Sequence, residues 1–163
     1  MLSIEELLPL LEGIRHGLII KENFTLEPGK QYKWEAENPG WLALVAGGFN
    51  TPYVEIEHSI WVNPIVYYPY IVYHYGITTR SPAYNWIVKY DTANNIYVMI
   101  YEPRPYKGYK AGSYIAIRNP KLHPVTKEPV TTPLTVYYLM ISYIELYDKD
   151  AFVKSLRELI GTE

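Results

Sequence analysis

Between residues 24 and 147 the chain repeats one device, a short run with apolar side chains at every second position, closed by Pro, Gly or Asn and followed by another such run. A period of two puts alternate side chains on opposite faces of an extended strand, and close spacing without intervening helical patterns leaves only antiparallel pairing. Phe24-Thr25-Leu26, the turn Glu27-Pro28-Gly29-Lys30 and Gln31-Tyr32-Lys33-Trp34-Glu35 read as strand, turn and strand, with Tyr32, Trp34 and Ala36 on one face. Asn38-Pro39-Gly40 leads into a buried strand, 41–46, expected to end at Gly47-Gly48. In the run 53–60, Val54, Ile56, His58 and Ile60 face one way, and Tyr53, Glu55 and Glu57 the other. Further strands are predicted at 66–75, 86–90, 96–101, 114–118 and 135–147, with Asp91-Thr92-Ala93-Asn94-Asn95 as a hairpin loop.

Eight or nine such strands predict an all-β fold, an antiparallel β-sandwich of jelly-roll type over 18–147. Helices bracket it. Ser3-Ile4-Glu5-Glu6 is a capping-box pattern ahead of Leu7, Leu8, Leu11 and Ile14, which predicts a helical segment within 1–17. Asp148 or Asp150 can cap a helix over 148–161, with Phe152, Val153, Leu156, Leu159 and Ile160 on its apolar face and Gly161 at its end. With 163 residues and 48% hydrophobic content, the chain is expected to form one domain able to bury roughly 70% of its unfolded surface. The connection 119–133 holds Pro120, Pro124, Pro129 and Pro133, too many for a strand, and reads as an extended arm, a rigid strap or an ordered loop.

Chemistry leaves few traces. The absence of cysteine excludes thiolate metal sites, disulfides and cysteine nucleophiles. His16, His58, His74 and His123 show no ligand spacing, so a metal would need the strands of His58 and His74 to be neighbours; no metal or other cofactor is expected. Glu35 and Glu37, like Glu55 and Glu57, sit at i, i+2 on one strand face and read as solvated pairs rather than a catalytic dyad. No nucleophile elbow, phosphate loop or dinucleotide fingerprint occurs, and the expectation is a protein that is not an enzyme. The longest apolar stretch, 134–146, carries Thr135, Ser142 and Glu145 and falls short of the roughly 18 residues of a membrane span. The first fifteen residues hold Glu5, Glu6 and Glu12 and no early cation, the wrong polarity for a secretory signal, so the expected location is the cytoplasm or a virion. The Asn23-Phe24-Thr25 glycosylation pattern is then a chance match.

Two features bear on partners. Tyrosine is abundant, 18 residues against 3 Phe and 4 Trp, which favours rings that lie on apolar neighbours while the hydroxyl reaches a polar one. Charge is segregated: residues 1–60 hold nine acids and four bases, whereas 103–127 hold six bases and no acid. Tyr101, Arg104, Tyr106, Lys107, Tyr109 and Lys110 form a mixed basic and aromatic stretch and are the candidate binding residues. They suit contact with an acidic face of another subunit, or stacking on a glycan. Nucleic acid is disfavoured by a net charge of −2.

The segments 24–30, Pro39-Gly40-Trp41-Leu42-Ala43-Leu44-Val45 and Pro52-Tyr53-Val54-Glu55-Ile56-Glu57, with the hairpin 86–101 and Ala116-Ile117-Arg118-Asn119-Pro120, resemble in their order the β-sandwich virion proteins of phages and archaeal viruses. The resemblance spans residues 20–120. It implies self-assembly into a particle, tail or spike as a homo-oligomer or with other structural subunits, without catalysis, and it transfers no functional residue. High Tyr and Pro content without Cys also suits a thermophilic source. The competing expectation is a carbohydrate-binding module using Tyr67, Tyr68, Tyr70 and Tyr73 as stacking rings; a small enzyme with a dispersed site comes third.

Overall fold

A computed structural model describes residues 3, 6, 8–59, 70–74, 87–102, 107–123 and 126–161. The described strands are β1 (Ile14–Leu26), β2 (Gln31–Glu35), β3 (Gly40–Phe49), β4 (Val54–Ser59), β5 (Tyr70–His74), β6 (Ile87–Asp91), β7 (Ile96–Tyr101), β8 (Lys107–Tyr109), β9 (Tyr114–Arg118) and β10 (Leu134–Leu146). One helix, α1 (Lys149–Ile160), follows them. All pairings are antiparallel. A six-stranded sheet runs β1-β10-β3-β7-β6, with β8 pairing the first part of β3 beside β7; a four-stranded sheet runs β2-β9-β4-β5. The architecture is thus β-sandwich-like and all-β.

Between the sheets lies an apolar core that includes Leu42, Phe49, Ile56, Met99, Ile117, Leu139 and Ile141. Apart from Phe49, they come from strands already visible in sequence: in β2 only Trp34 is buried, flanked by exposed Lys33 and Glu35, and in β4 Val54 and Ile56 are fully buried. The six-residue β7 and five-residue β9 match the expected strands residue for residue. The β6–β7 hairpin closes as expected, Asp91 accepting hydrogen bonds from the backbone N–H groups of Ala93 and Asn94 while Asn95 takes a left-handed φ of 56°.

Three expectations need correction. Ser3 and Glu6 do exchange the two capping-box hydrogen bonds and Glu6 is helical, and among the described residues a 3-10 turn at Leu8–Leu10 follows, but residues 14–17 of the expected helical segment are strand. Gly13, at φ +78°, breaks the helical path, and twelve-fold pairing with β10 supplies what the local pattern lacks. Gly47-Gly48 does not end β3: a Cβ on Gly47 would meet the Phe49 ring at 2.6 Å and one on Gly48 the Tyr138 ring at 2.5 Å, so these glycines make room for rings within the strand. The short β8, which carries Lys107 and Tyr109, was not foreseen.

The C-terminal helix matches its expectation closely. Asp148 caps Ala151 N–H, and Gly161, at φ 76°, closes the last turn onto the Arg157 and Glu158 carbonyls. Phe152 meets Trp41 with ring centroids 5.9 Å apart, so α1 covers one end of the outer face of the large sheet. Ser155, which lies outside the expected apolar face, is buried and pins the helix: its Oγ accepts from Glu12 N–H and donates to the Leu10 carbonyl.

The proline-rich connection is anchored at its root. Asn119 is 3% exposed, and its Nδ2 donates to the carbonyls of Leu26 (3.0 Å) and Thr132 (2.9 Å), tying β1 to the return arm of the loop. Asn119→Ala should therefore cost about 1–3 kcal/mol, because it strands two carbonyls and removes their shared donor. Urea denaturation measures this, and a change below about 0.5 kcal/mol would mean that water replaces the amide there.

Candidate functional site

The register of the large sheet aligns side chains in rows across its outer face. Leu18 of β1 stands beside Ser142 of β10 and Leu44 of β3. The next row is Ile20, Met140, Ala46 and Ile100, apolar across four adjacent strands. Glu22, Tyr138, Gly48 and Val98 make the third. Their alternates Val45, Met99, Leu139 and Ile141 fill the core, so these rows face away from it. Leu18 and Ile20 are 48% and 58% exposed, whereas Met140, Leu44 and Ile100 are half-buried. An outer sheet face ordinarily carries polar residues, and here they (Ser142, Glu22) flank a row that is wholly apolar.

A separate cleft of about 320 Å³ opens between the sheets beside β1 and β2. Trp34 lies in it with Tyr143 at a centroid distance of 4.9 Å and Tyr109 edge-on at 5.8 Å. Glu145 accepts from Arg15 Nε and Asn38 Nδ2, both at 2.7 Å. The Arg15 hydrogen bond, then that of Asn38, holds its carboxyl below the ordinary range, and the Glu145 carboxylate in turn raises the Arg15 guanidinium. A carboxylate kept ionised in this way binds and positions; it does not act as a general acid at neutral pH. Tyr109 is 5% exposed, and its hydroxyl has no hydrogen-bond partner among the described residues. Tyr109→Phe should be neutral or stabilising by up to about 1 kcal/mol in thermal melts, since it deletes a buried polar atom; a clear loss would reveal a bound partner for the hydroxyl.

Among the described residues, the sequence-derived candidates do not assemble into an exposed platform. Tyr101 and Tyr109 are core residues, at 3% and 5% exposure, so their rings are closed to a ligand, a correction that follows from the β3–β7 and β3–β8 registers. Lys110 is exposed. Arg104 and Tyr106 lie outside the described residues, as do Tyr67, Tyr68 and the side chains of Tyr70, Tyr73 and Lys107. Amphipathic placement of tyrosine does hold widely: Tyr32, Tyr53, Tyr97, Tyr114, Tyr138 and Tyr143 are half-buried.

Segregated charges also meet within the chain. Arg118, from the basic stretch, donates to Glu55 at 2.6 Å and to Gln31, so Glu55 is a buried ion-pair partner rather than a solvated member of a Glu55–Glu57 pair. β4 and β5 are neighbours, but the register sets His74 opposite Val54 and His58 opposite Tyr70, four positions apart or roughly 13 Å along the strand. Among the described residues no group of three or more His, Cys, Asp or Glu could hold a metal ion, and no helix is long and apolar enough to cross a membrane. Neither a protein-family model nor a curated protein matches the chain.

Proposed function

We propose that this chain is a non-enzymatic structural module that self-associates, a jelly roll of the kind that builds virus-like particles or comparable assemblies. The observation that carries this reading is the apolar row Ile20, Met140, Ala46 and Ile100 on the outer face of the large sheet, beside the 48% exposed Leu18. Within it Ile20 is exposed, Met140 and Ile100 are half-buried and Ala46 is buried, and exposed apolar side chains grouped like Leu18 and Ile20 mark an association site. Strand order supports the jelly roll: the chain crosses between sheets at β1/β2, β2/β3, β3/β4, β5/β6, β8/β9 and β9/β10, and its last strand returns beside its first.

Light scattering after size exclusion tests the reading. A defined species at a multiple of 19.0 kDa is expected. A monomer at every concentration would overturn it.

The cleft favours, as a second reading, capture of a saccharide ring on the half-buried Tyr143, beside Trp34, with Glu145 and Asn38 on its hydroxyls. Change of tryptophan fluorescence across a panel of soluble oligosaccharides would support it, and a Trp34-independent or absent change would remove it.

A further inference from the structure

We infer that the outer edge of β1 is a seam at which two copies of the chain pair antiparallel, about a twofold axis through Ile19. This seam rests on the self-association reading above and gives it a geometry. Among the described residues β1 is bonded on one side only, to β10, along 13 residues that contain no proline. Natural sheets guard such an edge with proline, a bulge or an inward-pointing cation. Here the inward-facing cation, Lys21, is drawn back over the Phe24 and Tyr32 rings, 4.8 and 4.9 Å from their centroids, instead of projecting past the edge. Asn23, at φ 51°, interrupts the strand only beyond Glu22. The segment 15–22 is left regular, with Leu18 and Ile20 as its most exposed large apolar residues.

The sequence of that segment is complementary to itself. Residues directly opposite across an antiparallel pair share a face, so only axes through a residue position keep outward side chains together. An axis through Ile19 sets Leu18 against Ile20 of the second copy, His16 against Glu22 and Lys21 against Gly17, which has no side chain to obstruct it. His16 already holds Ser142 Oγ at 2.8 Å through Nε2, so its other ring nitrogen is the one turned to the new carboxylate. An axis through Leu18 would place Arg15 opposite Lys21 twice, and like charges directly opposite are destabilising. An axis through Ile20 would press Glu22 against Leu18 and carry the irregular Asn23 into the pairing. Charge and apolar pattern both select Ile19.

The experiment uses the full chain, whose lack of cysteine removes background. Leu18→Cys, Ile19→Cys and Ile20→Cys are each oxidised mildly, after circular dichroism has shown an unchanged fold. Opposite Cβ atoms approach to about 4.5–5.5 Å and diagonal ones do not, so Ile19→Cys should yield roughly tenfold more disulfide-linked dimer than either neighbour. Ile20→Lys, without any cross-link, should raise the dissociation constant of the native dimer at least about tenfold in sedimentation, since it puts a cation into the apolar centre of the seam. An oligomer in which Leu18→Cys or Ile20→Cys cross-links best places the contact on the sheet face, and overturns the seam while self-association stands. An oligomer that Ile20→Lys leaves intact and that Ile19→Cys does not cross-link overturns it equally. A chain monomeric throughout overturns both the seam and the reading beneath it.

Discussion

Between pH 10 and pH 12 the folded chain should lose several kcal/mol of stability while its core tyrosines remain protonated. Burial raises Tyr101 from 10.0 to about 12, and raises Tyr109 as well, with Tyr143 and Glu145 nearby adding to the effect. An acid whose folded pKa lies above its unfolded value favours folding fully below the unfolded pKa. That contribution is lost as pH climbs towards the folded pKa, because the unfolded chain releases the proton first. For Tyr101 the window is pH 10 to 12, and a shift of this size corresponds to about 3 kcal/mol. Tyr109 extends the loss to higher pH. Urea midpoints should fall across the window while phenolate absorbance rises later in the folded chain than in the urea-unfolded one, and Tyr101→Phe should flatten the slope. A midpoint constant to pH 12 would mean that the Tyr101 ring is solvated, which would undo the β3–β7 register.

A second large effect is expected at Gly13. Its φ of +78° is left-handed, and its carbonyl accepts the N–H groups of Tyr147 (2.9 Å) and Asp148 (3.1 Å), where β10 gives way to α1. A Cβ there would overlap the Asp148 carbonyl oxygen and come within 2.7 Å of Phe152 N, both backbone atoms at the start of the helix. Neither can yield without shifting α1. The left-handed conformation costs an alanine about 1–2 kcal/mol and overpacking about 1–3 kcal/mol more, so Gly13→Ala should destabilise by roughly 2–5 kcal/mol. In a chain of this length that lowers the melting temperature by roughly 5–15 °C. A loss below about 0.5 kcal/mol would show that α1 docks elsewhere.

Legibility in the sequence followed locality. Both hairpin strands around Asp91–Asn95, the alternation of β2 and the caps of α1 are set by residues adjacent in the chain, and all were readable. β1 was not, because Leu7, Leu8, Leu11 and Ile14 keep helical spacing and the strand exists through β10, far away in sequence. A signal was present in Gly13-Ile14, a left-handed break ahead of Ile14, Leu18 and Ile20. Outward apolar residues at 18 and 20, the heart of the candidate surface, look like any buried run until the register turns them away from the core. Tyr101 and Tyr109 failed in the opposite sense: a tyrosine beside lysines reads as surface, yet pairing with β3 turns both rings inward.

The placement of β10 has a kinetic consequence. It is the last of the described strands and lies second in the large sheet, between β1 and β3, so that Arg15 of β1 and its own Glu145, 130 positions apart, meet. During synthesis from the N-terminus, β1 and β3 therefore wait with their facing edges unsatisfied until β10 has emerged. Folding should be slow for a chain of this size, governed by long-loop closure, and the unfilled slot between β1 and β3 is where a nascent chain is open to capture by another strand.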